Sequence, residues 1–444
     1  MTRAHTKSAK DAKKIFYFCL RFATVSPIMQ SRLSVFFAFA VGSVFSLFVA
    51  SCSSPDKSPS TAAPLILISI DGFRWDYLQK ADVPTLKGLA DGGVHAQRLI
   101  PSFPSKTLPN HYTLATGLYP EHHGIGSNYF YDPAIKKNFA ASNPVNSTES
   151  VWWGGEPIWI TAERQGVRSA CFFWAGSEAE VGGTRPSLYL PYNKKLTCAE
   201  RVDGLLAWFE LPPAERPKFA TLYLDLVDTT GHKFGPDAPE THAALQEVDR
   251  AIARLLDGLK QLGIRNATNL VVVSDHGLTS IDAKRVIFIE DMMPVSTVQV
   301  ESYGPNGGVR PKTGTAEELV ASIRAKHIPH LQVYLREEMP ERLHYRDNPR
   351  IPPVVYVADE GWNIESKVGW PNREPTYDHA SHGYDPALSN MGALFIANGP
   401  AFKRGLEIPA VENIHLYNLL CRVLGLKPAP NDGDQRLAHA ALKR

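Results

Sequence analysis

The chain has 444 residues, enough for one large domain or two ordinary ones. With 44% hydrophobic and 21% charged residues, it has the composition of a globular protein, which excludes wholesale disorder. The formal net charge is +2, but residues 1–32 hold seven basic groups and one acid; their +6 leaves −4 for the rest, which offers no basic face for nucleic acid.

The first element is the uncharged apolar run LSVFFAFAVGSVFSLFVA over 33–50, just behind Arg32, the pattern of a signal-peptide core. It leads through Val49, Ala50 and Ser51 into Cys52, the pattern of a bacterial lipobox, whose cysteine becomes the acylated first residue of the mature chain. A plain signal peptide, or an uncleaved anchor of about 18 apolar residues, is the alternative. Met29 is a second candidate start. An exported, periplasmic protein held at a membrane by lipid on Cys52 is the expectation, with Ser53 pointing to the outer membrane by bacterial sorting rules. Residues 53–63, SSPDKSPSTAA, read as a tether.

Export bears on the cysteines. Beyond Cys19 and Cys52 in the leader, the body holds Cys171, Cys198 and Cys421. An oxidising compartment permits a bond between Cys171 and Cys198. No CxxC pattern exists to form a thiolate metal site. Cys421, inside LYNLLCRVLGL, reads as a free buried thiol.

A single domain is expected over 64–435. It starts with PLILISI (64–70), continuously apolar and β-branched, as strands covered on both faces are. FATLYLDLV (219–227) and NLVVVS (269–274) match it, and GALFIA (392–397) follows late. Between them, 238–263 carries Leu245, Val248, Ile252, Leu255, Leu256 and Leu259 at helical spacing and ends at Gly263. Alternating strands and helices imply an α/β fold with a mainly parallel sheet. Residues 280–375, irregular and proline-rich, are expected to form a small inserted subdomain.

In open parallel sheets, ligands collect beyond the carboxyl ends of the strands. Here the first three apolar runs lead into Asp71, into Asp228 with His232 four residues on, and into Asp275 and His276; a later segment adds His382. Six Asp and His donors without thiolate suit zinc, with manganese as an alternative and magnesium disfavoured by the histidines. Six are too many for one tetrahedral ion and suit two, an arrangement that stabilises both attacking and leaving oxygens of a phosphoryl displacement. In PSFPSKTLPNHYTLATGL (101–118), Pro109 marks a helix start and places Thr107 at its N-cap. A helix N-terminus favours a phosphate, so Thr107 is a candidate nucleophile as well as a cap.

DGFRWDYL (71–78), SKTLPNHYTLATGLYPEHHGI (105–125), DTTGHKFGP (228–236), SDHG (274–277) and SHGYD (381–385) together resemble the nucleotide pyrophosphatase/phosphodiesterase family of the alkaline phosphatase superfamily, over roughly 64–430. The resemblance implies an alkaline phosphatase-like fold and two zinc ions: one held by Asp228, His232 and His382, the other by Asp71, Asp275, His276 and Thr107. It also implies that Asn128, with the Leu108 N–H, binds a phosphate oxygen, and that a covalent phospho-threonine is formed and hydrolysed with release of nucleoside 5′-monophosphates. An aromatic residue usually follows the nucleophile in nucleotide-cleaving members. Leu108 departs from that pattern and leaves room for lipid-type diesters. Tyr192 and Tyr223 are the remaining pocket aromatics, unless they belong to the core. A phosphomonoesterase, or a lipid-anchored binding protein without catalysis, are the competing readings. Asn146 and Asn266 match N-glycosylation acceptors, which carry no weight behind a bacterial lipobox.

Overall fold

The computed structural model describes residues 63–444. The signal peptide, the lipobox at Cys52, the start at Met29 and nearly all of the tether lie outside the described residues. Among the described residues, no helix is long and apolar enough to cross a membrane.

Burial on both faces explains the central sheet. All six side chains of Leu65–Ile70 are fully buried. Each aliphatic side chain so buried contributes about 1.5–3 kcal/mol, so the strand has no tolerable place except the middle of a covered sheet. There it pairs in parallel with Phe219–Leu224 on one side and Asn269–Val273 on the other, Leu65 lying opposite both Phe219 and Asn269. The eight-stranded order runs Leu406–Ile408, Val94–Ala96, Phe395–Asn398, Asn269–Val273, Leu65–Ile70, Phe219–Leu224, Ser169–Phe172, Leu188–Leu190. Four of these strands have only three or four residues and no long apolar run to announce them.

The late run over 392–397 forms Phe395–Asn398, and this strand is antiparallel to both neighbours. A strand covered on both faces is equally apolar in either direction, so composition carries no sign of orientation.

Helices cover both faces. Leu65 and Leu67 point into a core that includes Tyr112, Trp159 and Leu420, from helices Thr107–Thr116, Ile158–Arg164 and Leu416–Leu424. On the other face lies Pro239–Gln261, packed on Cys198–Phe209 and Pro84–Asp91. Its stripe includes Asp249, whose carboxylate accepts the Leu86 and Thr85 N–H groups and so caps a neighbouring helix that lacks a side-chain cap of its own.

Segment 280–375 carries a separate four-stranded antiparallel sheet in the order Val298–Ser302, Asn306–Pro311, Val354–Ala358, Leu331–Leu335. Helix Ala316–Arg324 packs on it around Val309, Val354, Tyr356 and Ile364. Cys171, Cys198 and Cys421 are all buried free thiols, so the permitted pairing of the first two is not made.

Candidate functional site

Three loops at the carboxyl edge of the sheet converge. Asp71 is the first residue past its strand; its N–H donates to Leu224 O at 2.9 Å, and its carbonyl accepts the Asp228 N–H at 3.1 Å. The approach demands glycine at 72, where φ is +70° and a Cβ would lie 2.9 Å from Asp228 Cβ. Asp228 itself does not sit directly on the strand end as expected from the sequence. The strand stops at Leu224, and Asp228 lies in the first turn of helix Leu226–Phe234. That helix puts His232 one turn on and on the same face, with Nε2 3.4 Å from Asp228 Oδ1. Asp275 and His276 follow Asn269–Val273, and His382 follows the short strand Ala380–Ser381.

The histidines share one orientation. Nδ1 of His232, His276 and His382 lies 2.8–2.9 Å from the carbonyls of Ala380, Gly277 and Ser105. A carbonyl only accepts, so each Nδ1 carries the proton and each Nε2 turns its lone pair inward. Those lone pairs face carboxylates: His276 Nε2 is 3.0 Å from Asp275 Oδ2 and 3.5 Å from Asp71 Oδ1, and His382 Nε2 is 3.6 Å from Asp228 Oδ1. Asp71 Oδ1, Asp228 Oδ1 and Asp275 Oδ2 are buried without a hydrogen-bond partner.

Lone pairs facing lone pairs in a buried site require a positive charge between them, a proton or a metal ion. The titration directions say the same. Burial, then the charges of Asp275 and Asp228, hold the Asp71 carboxyl well above the usual range. Burial also works against ionised Asp228 and Asp275, but the adjacent histidines outweigh it and hold both low. Burial disfavours charge on His232, yet Asp228 prevails and raises its pKa to about 9. Burial, reinforced by His276, lowers His382 to about 3. Unpaired buried carboxylates cost several kcal/mol, and a divalent cation among N and O donors removes that cost. The residues fit a metal site.

The six donors come together, but distance does not divide them as the sequence resemblance implies. Asp228, His276 and His382 form one compact group, and Asp71, His111 and Asp275 another. His276 stands at the seam, its ring stacked on His382 with centroids 3.5 Å apart.

Thr107 faces this seam, its Oγ1 3.3 Å from His276 Nε2. It is the first residue of helix Thr107–Thr116, one position later than expected. Lys106 is the N-cap and supplies no side-chain cap, so the hydroxyl of Thr107 is not spent on capping. The Leu108 N–H and Asn128, both expected on a phosphate oxygen, instead meet each other: Asn128 Oδ1 accepts that N–H at 3.1 Å. The Asn128 amide is thereby fixed with its oxygen toward the helix.

Tyr192 is 48% exposed, and its hydroxyl donates to Asp225. Asp225 in turn is paired with buried Arg201 at 2.9 Å. Tyr223 donates its hydroxyl to Asp71 Oδ2 at 2.6 Å, committing its polar end to the carboxylate, and its ring lies 6.0 Å from that of Tyr192. Leu108 packs partly buried against the main core.

Sequence reasoning missed His111. Its Nε2 is 2.8 Å from Ser69 Oγ, and its Nδ1 is 2.9 Å from Thr107 O and 3.3 Å from Asp275 Oδ2. Its Nε2 is engaged by Ser69 outside the donor cluster, which suits a brace for Thr107 and Asp275. Its spacing of four from Thr107, one helical turn, was the available signal.

A sequence model described as "Type I phosphodiesterase / nucleotide pyrophosphatase" matches residues 65–385. A venom phosphodiesterase of Macrovipera lebetinus is 41% identical over 404 residues, covering 88% of this chain and 47% of the relative. Ectonucleotide pyrophosphatase/phosphodiesterase family member 1 of Mus musculus is 38% identical, covering 88% of this chain and 44% of the relative. The chain thus spans about half the length of the curated relatives it matches. Among solved structures, murine ectonucleotide pyrophosphatase/phosphodiesterase 5 superposes with a TM-score of 0.81 at 36% identity, covering 86% of this chain and all of the other. Its inactive threonine-to-alanine variant in complex with AMP superposes at 0.80, with 35% identity, 85% of this chain and all of the other covered.

Proposed function

The chain belongs to the type I phosphodiesterase/nucleotide pyrophosphatase family, with an alkaline phosphatase-like fold, and on that footing we propose that it hydrolyses phosphodiester or pyrophosphate bonds of nucleotide-type substrates through a covalent phospho-Thr107 intermediate. The observation that carries this is the placement of the Thr107 hydroxyl against His276, beside three inward-facing imidazoles and three unpaired carboxylate oxygens. Two zinc ions would be held there, one by Asp228, His232 and His382, the other by Asp71, Asp275 and His276 with Thr107. When bound, they supply Lewis-acid stabilisation of oxyanions and lower the pKa of a neighbouring hydroxyl.

Thr107 Oγ would attack phosphorus and expel the leaving alkoxide or phosphate; water would then cleave the phospho-threonine ester, so configuration at phosphorus is retained over two displacements. Asn128, its oxygen anchored on the Leu108 N–H, would donate from its amide nitrogen to a non-bridging oxygen. Tyr192 would flank the leaving or retained nucleoside, a nucleoside 5′-monophosphate being the product. Support for a nucleotide comes from the AMP complex of the threonine-to-alanine neighbour.

Diesters are favoured over monoesters by what the nearby arginines do. Arg74 is committed to Asp76, Asp237 and Leu278 O, and Arg201 to Asp225, Leu196 O and Tyr223 O. Neither is left for the extra charge of a monoester. Export and lipid anchoring through Cys52 complete the proposal, on the strength of the leader sequence alone.

Thr107→Ala is expected to abolish turnover of thymidine 5′-monophosphate p-nitrophenyl ester while zinc content stays at the wild-type level. Near-normal turnover in the variant would sink the nucleophile assignment. Faster wild-type turnover of p-nitrophenyl phosphate than of the diester would sink the substrate class.

A further inference from the structure

Two chain segments run side by side at the site, 105–107 with the nucleophile and 382–384 with a donor histidine. Two links between them are direct. His382 Nδ1 donates to Ser105 O at 2.9 Å, and Ser105 Oγ donates to Tyr384 O at 2.5 Å. A third link passes through the 280–375 segment. Lys106, only 8% exposed, extends its ammonium to Asn306 O at 3.1 Å. Asn306, 4% exposed, donates from its side-chain amide to Gly383 O. One residue of the second sheet therefore grips the residue before Thr107 with its backbone and the residue after His382 with its side chain.

The packing leaves no slack. Gly383 has φ +116°, and a Cβ there would lie 3.0 Å from Asn306 Nδ2 and 3.1 Å from Lys106 Cε. Asn306 opens strand Asn306–Pro311, sits opposite Val357 in the ladder, and lies three residues from fully buried Val309. It is held by a sheet with a core of its own, so it presents a fixed point rather than a mobile side chain.

We propose that Asn306 is a positioning residue: the second sheet uses it to set the distance between Thr107 and His382. This rests on the nucleophile and metal roles proposed above. Asn306 touches neither the nucleophile nor a metal-type donor; it acts through Lys106 and Gly383. Displacements of about 1 Å between a nucleophile and its site cost about 100-fold in rate, and outer partners of ligating histidines about 10–100-fold in affinity or activity. The clamp therefore controls rate out of proportion to its one side chain.

The test compares wild type, Asn306→Ala and Asn306→Asp. The aspartate variant keeps the shape but loses the N–H that Gly383 O accepts. Both are expected to lower kcat on the diester by about 10–100-fold with KM within about threefold, and to weaken binding of added cobalt(II) by about tenfold with a shifted visible spectrum. Melting midpoints of the metal-free proteins are expected to change little by comparison. Wild-type kcat and an unshifted cobalt spectrum in both variants would overturn the proposal. So would a loss of activity that vanishes when rates are expressed per folded molecule, because the role would then be structural alone. The cobalt measurement needs no turnover. If wild type binds cobalt yet cleaves no diester, the functional reading fails while the clamp is still tested.

Discussion

The loops at the carboxyl edge of the central sheet and the sheet inside 280–375 both reach the site, but they are built on different physics. Asp71 and Asp275 follow strands whose residues are buried throughout, LILISI and NLVVV, and Asp228 lies just beyond a third. The outer strands of the second sheet are one-sided: Val298–Ser302 buries only its first residue, and Leu331–Leu335 only Val333, while the inner strands Asn306–Pro311 and Val354–Ala358 are largely buried. Double coverage over a long apolar run makes a strand conspicuous in sequence, whereas one-sided strands leave no such mark. Yet the second sheet supplies Asn306, which ties the nucleophile segment to His382. Chemistry is concentrated on one region and its dimensions are shared with the other.

That contrast can be broken most forcefully at the donors. Asp228→Asn, or EDTA treatment of wild type, is expected to remove turnover by more than about 1,000-fold, with zinc restoring the chelated wild type but not the variant. Metal analysis checks the loss, and a fully active Asp228→Asn enzyme would remove Asp228 from the metal site.

His111 sharpens the same side of the comparison. His111→Ala removes the contacts to Ser69, Thr107 O and Asp275 without removing an inward-facing lone pair. A fall of about 10–100-fold in kcat is expected with zinc stoichiometry retained. Loss of one equivalent of zinc would instead make His111 a ligand, as its grouping with Asp71 and Asp275 permits.

The smallest effect on activity is expected deep in the second sheet's core. Ile364→Ala opens a cavity at a fully buried site and should cost about 2–5 kcal/mol in a urea titration. With the protein folded at low temperature, kcat should stay within about threefold of wild type, because Ile364 lies in the packing behind the strands and not at Asn306. A larger drop would show that the site depends on the whole segment and not on one residue of it.

Much of the site was legible because its residues stand next to conspicuous strands or in one helical turn. Asp71, Asp275 and His276 follow all-apolar runs, and Asp228 with His232 have the i, i+4 spacing of a helix face. What was not legible was anything set by direction or by distant contact. The antiparallel sense of Phe395–Asn398 leaves no trace in its composition. The hydrogen bond of Tyr223 to Asp71 joins one strand to the end of its neighbour, and neither segment carries a mark of it. Asn306 is an ordinary asparagine in an irregular stretch.

The sequence by itself determined the donor types, their attachment to buried strands and the candidate nucleophile, because local burial and spacing are written in consecutive residues. Tertiary structure alone decided the common inward turn of His232, His276 and His382, the place of Thr107 one step inside its helix, and the seam at His276. His232 and His382 are turned by carbonyls 148 and 277 residues away along the chain, and His276, held by its neighbour Gly277, meets its stacking partner His382 only through the fold. Contacts at that range carry no local periodicity, so only the folded chain reveals them.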